Sequence, residues 1–407
     1  TRYSTTGASV LRNTQPVYCQ SLVGEIAVAH NGNLINTAEL RKEMVAEGER
    51  FDSTSDSELL ARILIRNMEL GPERAVAELM RRIKGAYSVT VLTPKFVLGF
   101  RDPNGIRPLV AGSLDPGGYM LASESCAFQP VGATVMRELE PGELAIIDSS
   151  GIRFHQVVPP AKPAMCLFEF IYFARPDSTM YGQGLYTVRE RMGENLAHEH
   201  PVEADIVVPV PDSGVPAALG YSRASGIPYR EGMMKSRYIH RTFIAPDQRM
   251  RESGVRMKLS PLSQNILGKR VILVDDSIVR GTTTKQIVKL MLDSGAAEVH
   301  VRITAPPIKF PCFYGIDMAS KGELAAARMS LEELTEYIGA NSLGFLSIEG
   351  AKKAVGEDEH RFCLACFNGD YPIPVPSELK KNAFDDPPHL GELAAVSHGQ
   401  LRLIDDY

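Results

Sequence analysis

The sequence predicts an α+β layered domain followed by an α/β domain on a parallel sheet. Three observations carry that expectation. Early in the chain, short β-like runs broken by Gly and Pro surround two helical segments. Beyond VVPPAKP at 157–163, a linker candidate, apolar strands alternate with helical segments, the rhythm of a parallel sheet with crossover helices. The 407 residues also suffice for two or three buried cores, at roughly 100–200 residues per domain. The expected division is 1–157, 158–373, and a Pro-rich, charged peripheral tail at 374–407.

In chain order, 24–30 is a short apolar strand that ends at the turn signal Asn31-Gly32-Asn33. Residues 37–47 and 56–70 read as helices. In the second, Leu59, Leu60, Ile63 and Leu64 fall at helical spacing and Gly71-Pro72 ends the run. Strands are expected at 86–93, 96–100, 144–148 and 152–157. After the linker, strands at 206–210, 271–274 and 299–304 alternate with helices at 217–225 and 283–294.

Composition excludes several classes. A hydrophobic content of 44% with 23% charged residues is ordinary for a globular chain. Lys and Arg number 44 against 49 Asp and Glu, a net charge of −5, which argues against a nucleic-acid or anionic-membrane partner. No apolar run approaches the roughly 18 residues of a membrane span. TRYSTTGASV lacks the pattern of a secretory signal and has no initiator Met, so a cytoplasmic protein, processed or shortened, is expected. Six Cys are too few for a disulfide scaffold. Cys363 and Cys366 form a CxxC, which points to metal or redox chemistry, whereas Cys19 and Cys126 read as ordinary buried thiols.

The most informative segment is VILVDDSIVRGTTTKQIV, residues 271–288. An apolar strand ends in Asp275 and Asp276, at the sheet edge where open α/β folds bind ligands. Two such carboxylates can accept hydrogen bonds from vicinal sugar hydroxyls and help hold Mg²⁺, a hard cation that prefers oxygen. Ser277 follows. Arg280, Gly281, Thr282 and Thr283 then open a helix whose free N–H groups and hydroxyls suit a phosphate dianion. Pro211-Asp212-Ser213-Gly214, after another strand, can cradle pyrophosphate and place Ser213 near the metal, although common turn chemistry also explains it. A basic run from Lys235 through Arg241 to Lys258 reads as a lid over a polyphosphate rather than a nucleic-acid patch.

The strand, the Asp pair and the RGTT helix start resemble the phosphoribosylpyrophosphate (PRPP) signature of type I phosphoribosyltransferases. KSRYIHRTFIAPDQR, TRYSTTG, AHNGNL, STSDSEL, RDPNGIRPL and ASES narrow the resemblance to the glutamine PRPP amidotransferases, and it covers both domains. It implies N-terminal-nucleophile glutaminase layers, incomplete here, followed by the type I phosphoribosyltransferase sheet. Arg2 would clamp the glutamine α-carboxylate, Asp56 would receive its α-ammonium, and Asn31 with the Gly32 N–H would form the oxyanion hole. The family's nucleophile is an N-terminal Cys. Position 1 here is Thr, and TRYST lies downstream of that Cys in the family, so a shortened sequence with an inactive glutaminase half is expected.

From spacing alone, Cys166, Cys312, Cys363 and Cys366 leave Fe–S, zinc and free thiols open. The resemblance implies a structural 4Fe-4S cluster at those four positions. It also implies a homo-oligomer, a tetramer, inhibited by purine nucleotides. The implied reaction takes PRPP and glutamine, or ammonia, to 5-phosphoribosylamine, pyrophosphate and, from glutamine, glutamate. Two alternatives are a nucleobase-using phosphoribosyltransferase and a non-enzymatic PRPP-sensing regulator.

Overall fold

The structure is a computed structural model that describes residues 10–22, 24–236, 258–317, 321–356 and 361–376. Its first part is a six-stranded antiparallel sheet in the order Val17–Ser21, Gly24–Leu34, Gly85–Leu92, Val97–Arg101, Glu143–Asp148, Gly151–Gln156. The helices Thr37–Ala46, Asp56–Asn67 and Pro72–Arg82 bury Leu40, Met44, Leu59, Ile63, Val76 and Leu79 together with the sheet residues Val28, Val89 and Phe100. A smaller sheet, Gly118–Ala122, Val110–Leu114 and Thr134–Glu138, contributes Ala111 and Leu121 to a separate cluster with Ala145, Ile152 and Phe154. These layers are those of the expected α+β domain.

Two expectations are corrected. Asn31-Gly32-Asn33 is not a hairpin turn but lies inside the eleven-residue strand Gly24–Leu34, in register with Ser88, Tyr87 and Ala86. Gly71-Pro72 does close one helix, through the 3₁₀ turn Met68–Leu70, but Pro72 also opens the next as its first residue. Proline suits that place because its missing N–H has no helical partner there and its φ is already helical.

The second part holds a four-stranded parallel sheet in the order Ile206–Pro209, Arg270–Asp275, Glu298–Ile303, Ser342–Phe345. Val207, Val208, Ile272, Leu273, Val274 and Val301 are fully buried in it, as expected for a sheet covered on both faces. Crossover helices Val215–Ser225, Thr282–Asp293 and Leu331–Ile338 connect the strands, and Leu185–Glu199 packs closely along Val215–Ser225. A short parallel pairing, Met165–Cys166 with Phe362–Cys363, ties the start of this part to its end. Another ribbon, Met233–Lys235 with Leu259–Pro261, brackets the basic segment. Arg241 and most of that segment lie outside the described residues, as do Arg2 and nearly all of the expected tail.

Candidate active sites

Asp275 ends the Arg270–Asp275 strand, and its carboxylate accepts the Asp276 N–H at 2.9 Å. Asp276 accepts the Ser277 hydroxyl at 2.6 Å and has Ser213 as a further side-chain partner. The Asp276 carbonyl accepts the Ala305 N–H at 2.8 Å, which fixes the loop against the next strand. Burial raises the proton affinity of both carboxyls. The neighbouring Asp276 charge raises Asp275 further, while the Ser213 and Ser277 hydroxyls draw Asp276 partly back. A buried and a half-buried carboxyl that repel each other, with a hydroxyl alongside, form an arrangement that a divalent cation relieves.

The turn at Pro211-Asp212-Ser213-Gly214 folds back so that the Gly214 N–H donates to Val210 O at 2.9 Å, and Lys235 from the Met233–Lys235 ribbon pairs with Asp212. Gly281 caps the Thr282–Asp293 helix at φ +78°, a left-handed backbone where glycine carries no Cβ penalty. No side chain caps that end, so the first-turn N–H groups beside Thr282 and Thr283 face outward with a partial positive charge. Arg280 pairs with Glu323 at 3.3 Å, both half-exposed. The structure thus gathers Asp212, Ser213, Gly214, Lys235 and the 275–283 segment at the C-terminal edge of the parallel sheet.

At the first site, Asn31 Oδ1 accepts from Arg107 Nη2 at 2.9 Å, and Asn31 Nδ2 donates to Ser123 Oγ at 3.0 Å. Gly32 takes φ +146°, and a Cβ there would stand 2.0 Å from Ala86 O, so the strand admits only glycine. Asp56 opens the Asp56–Asn67 helix behind the Ser55 cap and is 2% exposed. Its carboxylate accepts the Leu34 N–H at 3.2 Å and lies 3.6 Å from His30 Nδ1. Sequence reasoning passed over His30, Arg107 and Ser123. Arg107 and Ser123 sit inside the quoted motifs RDPNGIRPL and ASES, which were the available signal.

The four expected cluster thiols come from three segments. Cys166 and Cys363 are register partners, the Cys366 carbonyl accepts the N–H groups of Lys309 and Phe310, and Cys312 Sγ accepts the Tyr314 N–H at 3.4 Å. Cys166, Cys363 and Cys366 are buried. Burial raises every one of the four thiols, Cys363 up to about 12, and Cys366 also responds to the charges of the other three. Among the described residues, no three His, Cys, Asp or Glu side chains form a ready single-ion site. Thiolates are, by their chemistry, the donors that soft metals prefer. Of the other two cysteines, Cys19 is buried as expected, whereas Cys126 is only partly so.

Residues 2–130 match the glutamine amidotransferase domain family and residues 187–305 the phosphoribosyl transferase domain family. Over 387 residues the chain is 49% identical to the amidophosphoribosyltransferase of Synechococcus elongatus, covering 94% of this chain and 78% of that one. The chain belongs to the amidophosphoribosyltransferase family. Its identity to the Methanothermobacter thermautotrophicus amidophosphoribosyltransferase is 46% over 382 residues, covering 93% of this chain and 80% of the relative. It also superposes on the glutamine PRPP amidotransferase of B. subtilis complexed with ADP and GMP. That match has a TM-score of 0.86 and 44% identity, covering 92% of this chain and 83% of that chain. As in the family, glutamine supplies the nitrogen that displaces pyrophosphate from PRPP, which makes the protein a glutamine-dependent glycosyltransferase of purine synthesis.

Proposed function

We propose that the transfer occurs at the Asp275–Asp276 edge. The single observation behind this assignment is an adjacent carboxyl pair, Asp276 buried and Asp275 half-buried, beside Ser213 and followed by an uncapped helix start. Ser213, Asp275 and Asp276 would hold Mg²⁺, which neutralises the departing pyrophosphate. Asp275 and Asp276 would also accept from the ribose hydroxyls. Ser277, Arg280, Gly281, Thr282 and Thr283 would bind the 5-phosphate. Asp212 and Gly214 with Lys235 and Arg241 would enclose the pyrophosphate and exclude water. Positioning and charge stabilisation suffice for an oxocarbenium-like displacement, so no protein nucleophile is required.

In the glutaminase, Asn31 Nδ2 and the Gly32 N–H would stabilise the tetrahedral oxyanion, with Arg2 and Asp56 on the glutamine α-groups. The proposed division is a glutaminase domain at 1–157, a transferase domain at 158–373 and a tail at 374–407. The contacts of Asn33 and Gly32 with the 313–315 segment support direct ammonia delivery between the two domains. A structural 4Fe-4S cluster on Cys166, Cys312, Cys363 and Cys366 is favoured by three buried thiols and the partly buried Cys312, which feel one another's charge. Bound ADP and GMP in the B. subtilis structure support purine-nucleotide inhibition here. We further propose a homotetramer and, given the bacterial and archaeal relatives, a cytoplasmic setting. Among the described residues no helix is long and apolar enough to cross a membrane.

Pyrophosphate release from PRPP tests the assignment. It is expected with ammonium and with glutamine in the full-length enzyme, to depend on Mg²⁺, and to vanish in Asp275→Asn. Full ammonium-dependent turnover in Asp275→Asn would move the metal site elsewhere. Iron and acid-labile sulfide near four of each per chain are expected, and zinc without iron would sink the cluster.

A further inference from the structure

Arg107, like Arg101, is a fully buried guanidinium of the first part. One arm, Nη2, reaches Asn31 Oδ1 at 2.9 Å, and another, Nη1, lies 2.9 Å from Glu169 Oε1. The two charged side chains are 1% and 2% exposed, so each leaves the other without an alternative partner in water. The guanidinium also lies over the Phe173 ring, 4.9 Å from its centroid. Glu169 and Phe173 belong to one π-helical turn, Glu169–Phe173, beyond the linker. Arg189 clamps that turn by donating to the carbonyls of Phe170 at 2.9 Å and Ala174 at 2.6 Å.

The chemistry of the three partners decides how Asn31 points. A guanidinium only donates, so it meets the oxygen edge of the amide and turns the NH₂ edge away. Ser123, on the opposite side, can donate or accept and therefore tolerates either orientation. Only Arg107 discriminates. A flipped Asn31 would present an oxygen to the developing oxyanion and repel it.

We infer that Arg107 and Glu169 are positioning residues of the glutaminase, which lock the Asn31 amide with Nδ2 on the Ser123 side, ready for the oxyanion. This rests on the reading of Asn31 as an oxyanion-hole donor. The transferase part thereby supplies, through Glu169, a strut that the glutaminase does not contain.

The test uses the full-length enzyme and measures pyrophosphate release with saturating PRPP and either glutamine or ammonium. Asn31→Ala comes first: if its glutamine kcat is unchanged, the oxyanion reading itself fails. Given a loss there, Glu169→Gln is expected to lower the glutamine kcat by about 10–100-fold, in the range of a weakened oxyanion donor. Its KM for glutamine and its ammonium-dependent rate should stay within about twofold, because neither depends on the amide's orientation. A glutamine kcat within twofold of wild type overturns the inference, as does a loss confined to KM or shared with the ammonium reaction. Should Glu169→Gln not fold, Arg107→Lys decides by the same criteria, since it keeps the charge opposite Glu169 but cannot span both partners.

Discussion

Asp276 is buried at 8% exposure, and the proposed metal-binding role would require its charge, which sets a conflict between stability and function. Its folded-state proton affinity is raised by burial, so the cost of ionising it is absent below the ordinary carboxylate range. That cost grows as pH rises through the raised value. Ligand-free protein should therefore lose stability as pH climbs out of the acid range, and Asp276→Asn should flatten that slope and raise Tm near neutrality. The same variant should lower kcat/KM for PRPP by about 100-fold or more, by analogy with disrupted metal shells. Thermal scans across pH, without Mg²⁺ or PRPP, check the first outcome. An unchanged slope in Asp276→Asn would show that the carboxyl is not the group responsible. In the wild type, Mg²⁺-PRPP affinity should weaken toward acid pH because protons compete for the pair.

The Thr282–Asp293 helix shows how an element is built for its end. Its core face is Ile287, Val288 and Met291, while Gly281 delivers the chain at φ +78° with the first turn uncapped. Gly281→Ala should cost about 1–3 kcal/mol through its left-handed backbone, and its Cβ would press Tyr337 at 3.2 Å. A several-fold higher KM for PRPP is expected, read by steady-state kinetics alongside urea unfolding. Unaltered stability would mean that the turn relaxes freely.

Elements with strong periodicity were legible in the sequence. The Asp56–Asn67 helix and three of the four parallel strands lie within a residue or two of their expected bounds, apart from the 3₁₀ turn that ends the helical run, while the fourth strand, Ser342–Phe345, was not foreseen. The Pro72–Arg82 helix was not, because Gly-Pro marks both a stop and a start and only the following packing decides. Asn31-Gly32 reads as a hairpin in isolation, since the neighbour that holds it extended, Gly85–Leu92, lies far along the chain. The 275–283 segment was legible as a motif because its proposed ligand groups are contiguous. The Arg107–Glu169 pair was not, since a contact between distant residues leaves no spacing to recognise.

At the scale of the molecule, the two halves meet through backbone as well as side chains. Asn33 Nδ2 donates to Phe313 O at 3.0 Å, and Gly315, at φ +108°, lies so near Gly32 that a Cβ would come within 2.7 Å of its Cα. This contact places the glutaminase strand against the segment that carries Cys312. Asn33→Ala should loosen it without touching either set of reacting groups. Glutamate formed per pyrophosphate released, near one in the wild type, is expected to rise as ammonia escapes, with the ammonium-dependent rate retained. A ratio that stays at one would show that the seam does not retain ammonia.

The pairing of Cys166 with Cys363 also has a kinetic side. These partners stand near opposite ends of the transferase part, with nearly all of its sheet between them. A contact of such sequence separation closes late, after the costly loop entropy has been met by the intervening strands. During synthesis the first thiol emerges long before its partners and stays exposed to oxidants until the last strand arrives. The maturation of this protein should accordingly be its most oxygen-sensitive stage, with the finished fold sheltering the same sulfurs.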